Sequence, residues 1–244
     1  IILGREDVRA WNLVSQTSGQ VISFGKHLPS TAIPGTCLRG ETISFWDGQN
    51  HIPLFPVNKI LLRGKHNLLN VLAACALARA AKIPPLAMET GVEGFTGVEH
   101  RLEYVRTWKG ADWYNDSIAT APERTIAAIN SFHDPLVLLA GGRDKDLPWE
   151  SFAELVQERA RWVVLFGEAA GKVHKALTLA AESDKDKMIP ITRCEGLEEA
   201  IQAASRVVEP GDVVLLSPGG TSFDEFRDFA ERGECFKKWV HELD

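Results

Sequence analysis

The chain has 244 residues, 45% hydrophobic and 25% charged, with 27 Lys plus Arg against 33 Asp plus Glu for a net charge of −6. At about 150 residues per domain this is one large domain or two smaller ones. It is too apolar for a disordered chain, has no run of the 18 or so apolar residues that a membrane helix needs, and lacks the basic excess of a duplex nucleic-acid binder.

The start, Ile1-Ile2-Leu3-Gly4-Arg5-Glu6-Asp7, has neither the basic nor the apolar region of a signal peptide. Beginning on Ile rather than Met, it reads as a piece of a longer chain. Cys37, Cys75, Cys194 and Cys235 are scattered, with no CxxC pair or metal-ligand spacing, which points to reduced thiols in a cytoplasmic protein.

Residues 1 to about 62 read as short strands and turns. Val21–Phe24 is a strand candidate, Pro29–Gly40 is turn-rich and expected to be irregular, and Thr42–Trp46 and Ile52–Phe55 flank the hairpin turn Asp47-Gly48-Gln49-Asn50. With so few strands, no self-contained core is visible there. From Asn67 to Lys82 strong helix formers dominate. Apolar on nearly all faces, this helix is expected to be buried, with Asn67 as a possible N-cap. Pro84-Pro85 stops it, a short helix follows over Leu86–Val92, and Gly91, Gly94 and Gly97 mark a boundary between domains at 1–97 and 98–244.

Beyond Gly97 strands alternate with helices. The strand candidates are Leu102–Trp108, Ala111–Tyr114, Leu136–Ala140, Trp162–Phe166, Met188–Ile191 and Val213–Leu216. The helix candidates are Pro122–Phe132, Trp149–Arg159, Ala169–Leu179, Leu197–Val208 and Phe223–Val240. Lys109-Gly110 makes the first two strands a hairpin. The pattern predicts an α/β fold: a Rossmann-like, mostly parallel sheet with helices on both faces.

Ligands of such sheets sit at the carboxyl ends of the strands, and three exits are rich in polar groups. Asn115-Asp116-Ser117-Ile118-Ala119-Thr120 leads into Pro122, with Thr120 and Glu123 spaced as a capping box. Gly141-Gly142-Arg143-Asp144-Lys145-Asp146 joins paired glycines to two cations suited to a carboxylate or phosphate. Ser217-Pro218-Gly219-Gly220-Thr221-Ser222-Phe223-Asp224-Glu225 offers a second capping box, Ser222 with Glu225. There is no G-x-x-x-x-G-K-[ST] loop, no G-x-G-x-x-G fingerprint and no G-x-S-x-G elbow. Nor is any residue an obvious general base.

Taken in order, these motifs resemble the Mur ligase family. Gly64-Lys65-His66-Asn67-Leu68-Leu69-Asn70 is similar to G-[RKQ]-H-N-x-x-N, and Phe95-Thr96-Gly97-Val98-Glu99-His100-Arg101-Leu102-Glu103 to F-x-G-x-x-H-R-x-E. Asn115–Thr120 is similar to N-D-S-K-A-T, Gly141–Lys145 to G-G-x-x-K, and Leu215–Asp224 with Phe229 and Glu231-Arg232-Gly233 to the C-terminal signature. The N-D-S-x-A-T turn is that of the members that add D-glutamate to UDP-N-acetylmuramoyl-L-alanine. Ile118 departs from it, standing where those members carry a lysine.

The resemblance implies an ATP-dependent amide ligase of peptidoglycan precursor synthesis. The chain would be the end of the central ATPase domain (1–97) followed by the amino-acid-binding domain (98–244), and the P-loop and the Mg2+ ligands would lie upstream. It implies ATP contacts from Asn67, Asn70, Arg101 and Asp116. It also implies a D-glutamate site in which Thr120 and Lys145 take the α-carboxylate and Ser222, Phe223 and Phe229 the side-chain carboxylate. The expected partners are these small molecules, without nucleic acid or membrane, and a monomer is expected. The alternatives are another ligase of the superfamily, such as a folylpolyglutamate synthase, or a nonenzymatic Rossmann-like binding module.

Overall fold

The computed structural model describes residues 1–28, 33–62, 64–181 and 188–244. They form two compact units, Ile1–Thr96 and Gly97–Asp244.

The first unit is built on a five-stranded sheet. Its strands, in sheet order, are β1 (Ile2–Gly4), β2 (Ile22–Phe24), β3 (Gly35–Arg39), β4 (Thr42–Trp46) and β5 (His51–Pro56). The first three run parallel, and the last two pair antiparallel. The predicted hairpin is present: the Asp47 carboxylate accepts from the Gln49 and Asn50 N–H groups at 2.8 and 2.7 Å, closing its turn. The expectation of an irregular Pro29–Gly40 is corrected at β3. There Gly35–Arg39 pairs along its whole length with β4, and the Thr36 hydroxyl donates to the Leu72 carbonyl at 2.6 Å. Positions 29–32 of that stretch lie outside the described residues.

Three α-helices among the described residues accompany this sheet: α1 (Val8–Trp11), α2 (Lys65–Ala80) and α3 (Pro85–Glu93). The core that residues 1–62 lack is completed by α2 and α3. Val71, Leu72, Cys75 and Met88 pack with Ile43, Phe45, Leu54 and Phe55. The Ala-rich helix is not buried all round. Val71, Leu72, Cys75 and Ala76 are buried, whereas Ala74, Leu77 and Ala80 are exposed. Alanine loses little by facing water, so an Ala-rich sequence does not announce which face will be covered. Asn67 is also not the cap: the N-cap is Gly64, and Asn67 lies inside the first turn.

The second unit is an α/β sandwich around a six-stranded sheet. In chain order it contains β6 (Glu103–Trp108), β7 (Ala111–Asn115), α4 (Pro122–Ile129), β8 (Leu136–Gly141), α5 (Glu150–Arg159), β9 (Ala160–Phe166), α6 (Ala170–Ala181), β10 (Ile191–Arg193), α7 (Leu197–Val207), β11 (Val213–Gly219) and α8 (Phe229–His241). The sheet order is β10-β9-β8-β11-β7-β6, and every pairing is parallel except the β6–β7 hairpin. That hairpin turns on Lys109 (φ 49°) and Gly110 (φ 77°), two successive positive φ values that suit the right-handed twist of the strands.

The strands alternate their faces. Leu136, Leu138, Ala140, Val163, Leu165, Val213 and Leu215 pack toward α4, α5 and α6. Val137, Leu139, Val164, Phe166, Val214 and Leu216 pack toward α7 and α8. Both faces are therefore covered, as the continuous apolar strands predict. The last helix corrects an expectation. It begins at Phe229 rather than Phe223, with the Asp228 carboxylate accepting from the Glu231 N–H at 2.8 Å. Residues 222–228 are turns and bends instead, and the Glu225 carboxylate accepts from the Leu197 N–H at the start of α7, at 3.1 Å.

Candidate functional site

Strands β8, β11 and β7 lie side by side and parallel at the centre of the sheet, so their exits share one edge. The three polar turns of the sequence are therefore neighbours, and backbone hydrogen bonds join them. Asp116 N–H donates to Leu216 O at 2.7 Å and Gly219 N–H to Ala119 O at 2.9 Å. Arg143 and Thr221 exchange N–H···O bonds at 2.8 and 2.9 Å, a single antiparallel bridge between the second and third loops. Gly142, at φ 87°, is required there, because a Cβ would collide with the Thr221 carbonyl. A fourth exit, Gly167–Ala169 after β9, joins through Ala169 N–H to Gly142 O at 2.7 Å.

In the first loop Asp116 is buried. It accepts from Ser217 Oγ at 2.8 Å and from the Leu102 N–H at 3.2 Å. Burial pushes its carboxyl up to about 7, against the opposing pull of those hydrogen bonds and of Arg101 and Arg124. Arg101 itself is exposed, in the turn between His100 (φ 62°) and Leu102 (φ 46°). Behind the loop lies a polar knot. The Asn115 amide donates to Glu103 at 3.0 Å and meets His100 Nδ1 at 3.1 Å, and Lys237 binds the same Glu103 at 3.1 Å. Burial raises the Glu103 carboxyl, but the His100 N–H and Lys237 outweigh that and hold it below its ordinary value.

Thr120 is half-buried and is not a helix cap. Ala121 takes the N-cap position of α4, and no side chain closes it. The predicted Thr120–Glu123 capping box is therefore absent, as is the Ser222–Glu225 box. This leaves the Thr120 hydroxyl outside the helix's own hydrogen bonding.

The second loop separates its cations. Arg143 makes a two-point contact with Glu168, both N···O distances 3.0 Å. Asp144 is held by Lys172 and by Trp149 Nε1, which together keep its carboxyl low despite partial burial. Lys145 is exposed and forms no ion pair among the described residues. In the third loop Ser222 is buried and its carbonyl accepts from the Glu225 and Phe226 N–H groups, while Phe223 is exposed. Phe229 opens α8 with its ring edge-on to His100 at 6.0 Å, and its carbonyl accepts from Ser117 Oγ at 2.7 Å.

Thr120, Lys145, Ser222 and Phe223 thus stand on three adjoining loops of one sheet edge. Asn67 and Asn70 belong to the first unit, where the Asn70 amide donates to Asn67 Oδ1 at 3.2 Å; Asn67 is buried and Asn70 exposed. Sequence reasoning missed the Arg143–Glu168 pair, the Asp144–Lys172 pair and the role of Glu225. All are contacts between distant segments, and no local spacing signals them. Among the described residues no three His, Cys, Asp or Glu side chains are grouped to hold a metal, and no helix is long and apolar enough to cross a membrane.

Residues 100–220 match the family model described as Mur ligase, glutamate ligase domain. Among curated proteins, the chain is 39% identical over 230 residues to a UDP-N-acetylmuramoylalanine–D-glutamate ligase of Acetivibrio thermocellus, covering 94% of this chain and 49% of that protein. It is 40% identical over 248 residues to the ligase of the same name from Legionella pneumophila strain Lens, covering 100% and 53%. The chain spans about half the length of the curated relatives it matches. Among solved structures, MurF from Acinetobacter baumannii aligns with a TM-score of 0.66 at 15% identity, over 97% of this chain and 51% of that one. MurC from Thermotoga maritima aligns with a TM-score of 0.59 at 17% identity, over 96% and 54%. At those identities the structures speak for the fold alone.

Proposed function

We propose, for a chain that belongs to the Mur ligase family, that it is the amino-acid-binding part of a cytoplasmic, ATP-dependent ligase that adds D-glutamate to UDP-N-acetylmuramoyl-L-alanine in peptidoglycan precursor synthesis. In such a reaction ATP phosphorylates the acceptor carboxylate. The D-glutamate amine then attacks the acyl carbon, forming the C–N bond as the C–O bond to phosphate breaks and the amine loses its proton. The role assigned to this chain is to orient the nucleophile, which converts a bimolecular encounter into a positioned attack. Among the described residues no three His, Cys, Asp or Glu side chains are grouped to hold magnesium.

The observation that carries the reading is the distribution of cations on the sheet edge. Arg143 is occupied by Glu168 and Lys172 by Asp144, while Lys145 forms no ion pair among the described residues and stands on the loop after β8, beside the Ser222 loop after β11, which in turn adjoins the Thr120 loop after β7. Lys145 and the Thr120 hydroxyl are assigned the α-carboxylate. Ser222, Phe223 and Phe229 are assigned the side-chain carboxylate, in part through their backbone groups. Asp116 and Arg101 are assigned to the ribose and phosphates of ATP.

In the full-length ligase, Lys145→Ala is expected to raise the D-glutamate KM roughly tenfold to a hundredfold, since a hydrogen bond to a charged group is worth about 1.5–3 kcal/mol. The ATP KM should move much less. Lys145→Arg should rescue poorly, because a planar fork does not replace a compact ammonium. An unchanged D-glutamate KM in Lys145→Ala would make this lysine a solvated turn residue and overturn the placement. The 244-residue chain, which has no P-loop sequence, is expected to bind D-glutamate without forming the amide. Product made by the purified chain would contradict that division of labour.

A further inference from the structure

Arg232 is among the largest fully buried side chains of the protein, yet it pairs with no carboxylate among the described residues. Its guanidinium reaches two of the three loops at once. Nε donates to Ser117 Oγ at 3.0 Å and Nη2 to Ser117 O at 2.9 Å, on the loop after β7. Nη2 also donates to Gly220 O at 3.1 Å and Nη1 to Thr221 O at 3.0 Å, on the loop after β11. Every acceptor is neutral. Burying a charge is costly unless it is fully hydrogen-bonded, and burial lowers this guanidinium to about 10 even though Asp224 and Glu225 pull the other way.

A strut whose only purpose was stability could be apolar at less cost, since well-packed hydrophobic residues often replace buried charges without loss. What an apolar side chain cannot do is fix the separation of two loops through four directional bonds. Three residues beyond Ser117 stands Thr120, and immediately after Thr221 stands Ser222. The same helix turn closes the tie from the other side, with Ser117 Oγ donating to the Phe229 carbonyl.

We infer that Arg232 is a positioning residue: its guanidinium sets the gap between the Ser117–Thr120 and Gly220–Ser222 segments, and this gap selects the spacing between the two carboxylates of the bound amino acid. The inference rests on the proposed D-glutamate site and adds to it the origin of its chain-length selectivity. Arg232 does not touch the ligand itself. It acts through Ser117, Gly220 and Thr221. Lysine at this position would keep the charge but could not span both loops, because a single ammonium on a flexible stem lacks the guanidinium fork.

The test is a titration of the intact 244-residue chain with D-glutamate and with D-aspartate, whose carboxylates are one methylene closer, followed through backbone amide shifts. The wild-type chain, Arg232→Lys and Phe236→Leu are compared. Phe236 lies one turn further along α8 and is fully buried in the apolar core, so its shortening reports general loosening of the helix. Arg232→Lys is expected to weaken D-glutamate at least tenfold while changing D-aspartate much less, so that the ratio of the two affinities collapses. Phe236→Leu should leave that ratio unchanged. Combining Arg232→Lys with Ser117→Ala should add little to the loss from Arg232→Lys alone, because both remove the same tie.

If Arg232→Lys keeps the wild-type ratio, or if Phe236→Leu alters it equally, Arg232 does not set the spacing and the inference fails while the site stands. If the wild-type chain shows no D-glutamate shifts on the three loops, the site itself fails and takes the inference with it.

Discussion

The two units solve the same burial problem differently. In Gly97–Asp244 the sheet is enclosed on both faces, and Val137, Leu138, Leu139, Val163, Val164, Leu165, Val214, Leu215 and Leu216 are fully buried. In Ile1–Thr96 one compact cluster forms where α2 and α3 meet β4 and β5, while Ile1, Leu61, Leu77, Leu86 and Phe95 stay largely exposed. The enclosed unit can therefore afford loops full of buried polar groups, including a whole guanidinium, because its core supplies the stability that those groups cost. The difference shows why the proposed amino-acid chemistry gathers on the second unit: precise loops need a rigid scaffold beneath them.

The largest test of this contrast is to separate the units. A chain beginning at Gly97 should fold with a cooperative transition and native-like amide dispersion. In the intact chain, hydrogen exchange should be slowest in β8, β9 and β11 and markedly faster in β1 and β2. Equal protection in both sheets, or failure of the shortened chain to fold, would remove the contrast.

A smaller effect probes the polar cost that the second unit carries. The Asp116 carboxyl is raised to about 7 by burial, so the native state holds a proton that the unfolded chain releases across the interval from about pH 4 to pH 7. Since the unfolded state binds fewer protons there, stability should fall as pH rises through that interval and level off above it. Asp116→Asn can still accept from the Leu102 N–H and carries no charge to desolvate. Its Tm should exceed that of the parent above pH 7 and approach it near pH 4, each pKa unit being worth about 1.4 kcal/mol. Parallel Tm profiles for the two proteins across that range would refute the buried proton.

The smallest effect separates two helix starts within the same unit. Asp228→Ala should destabilise by about 1 kcal/mol, the usual loss on deleting a side-chain cap. Thr120→Ala, at a helix start that no side chain closes, should change stability by less than about 0.5 kcal/mol. Chemical denaturation of both variants checks the pair, and an equal loss would restore the Thr120 cap that the sequence suggests.

Much of the fold was legible because it rests on short-range chemistry. Apolar runs such as Leu136–Ala140 and Val213–Leu216 must become covered strands, Lys109-Gly110 suits a tight hairpin, and Pro84-Pro85 ends one helix and starts the next. The polar strand exits were legible too, and parallel strands required that they share an edge. Less visible was the Gly35–Arg39 strand, whose turn-rich approach hides a segment held by β4 and Leu72.

What residues 115–120, 141–146 and 217–223 reveal in sequence is which groups stand on loops. Which loops are neighbours was decided only when β11 inserted between β7 and β8. The same holds for individual side chains. Glu225 has the spacing to cap its own turn, yet it caps α7 instead, and Arg143 looks like a ligand for an anion, yet it is held by Glu168. A carboxylate or guanidinium satisfies any well-placed partner at similar gain, so local spacing sets only the options, and the packing of distant segments selects among them. Arg232 is the extreme case: a charged residue on a helix reads as solvated, and only the closing of two loops around it makes it the centre of their hydrogen bonding.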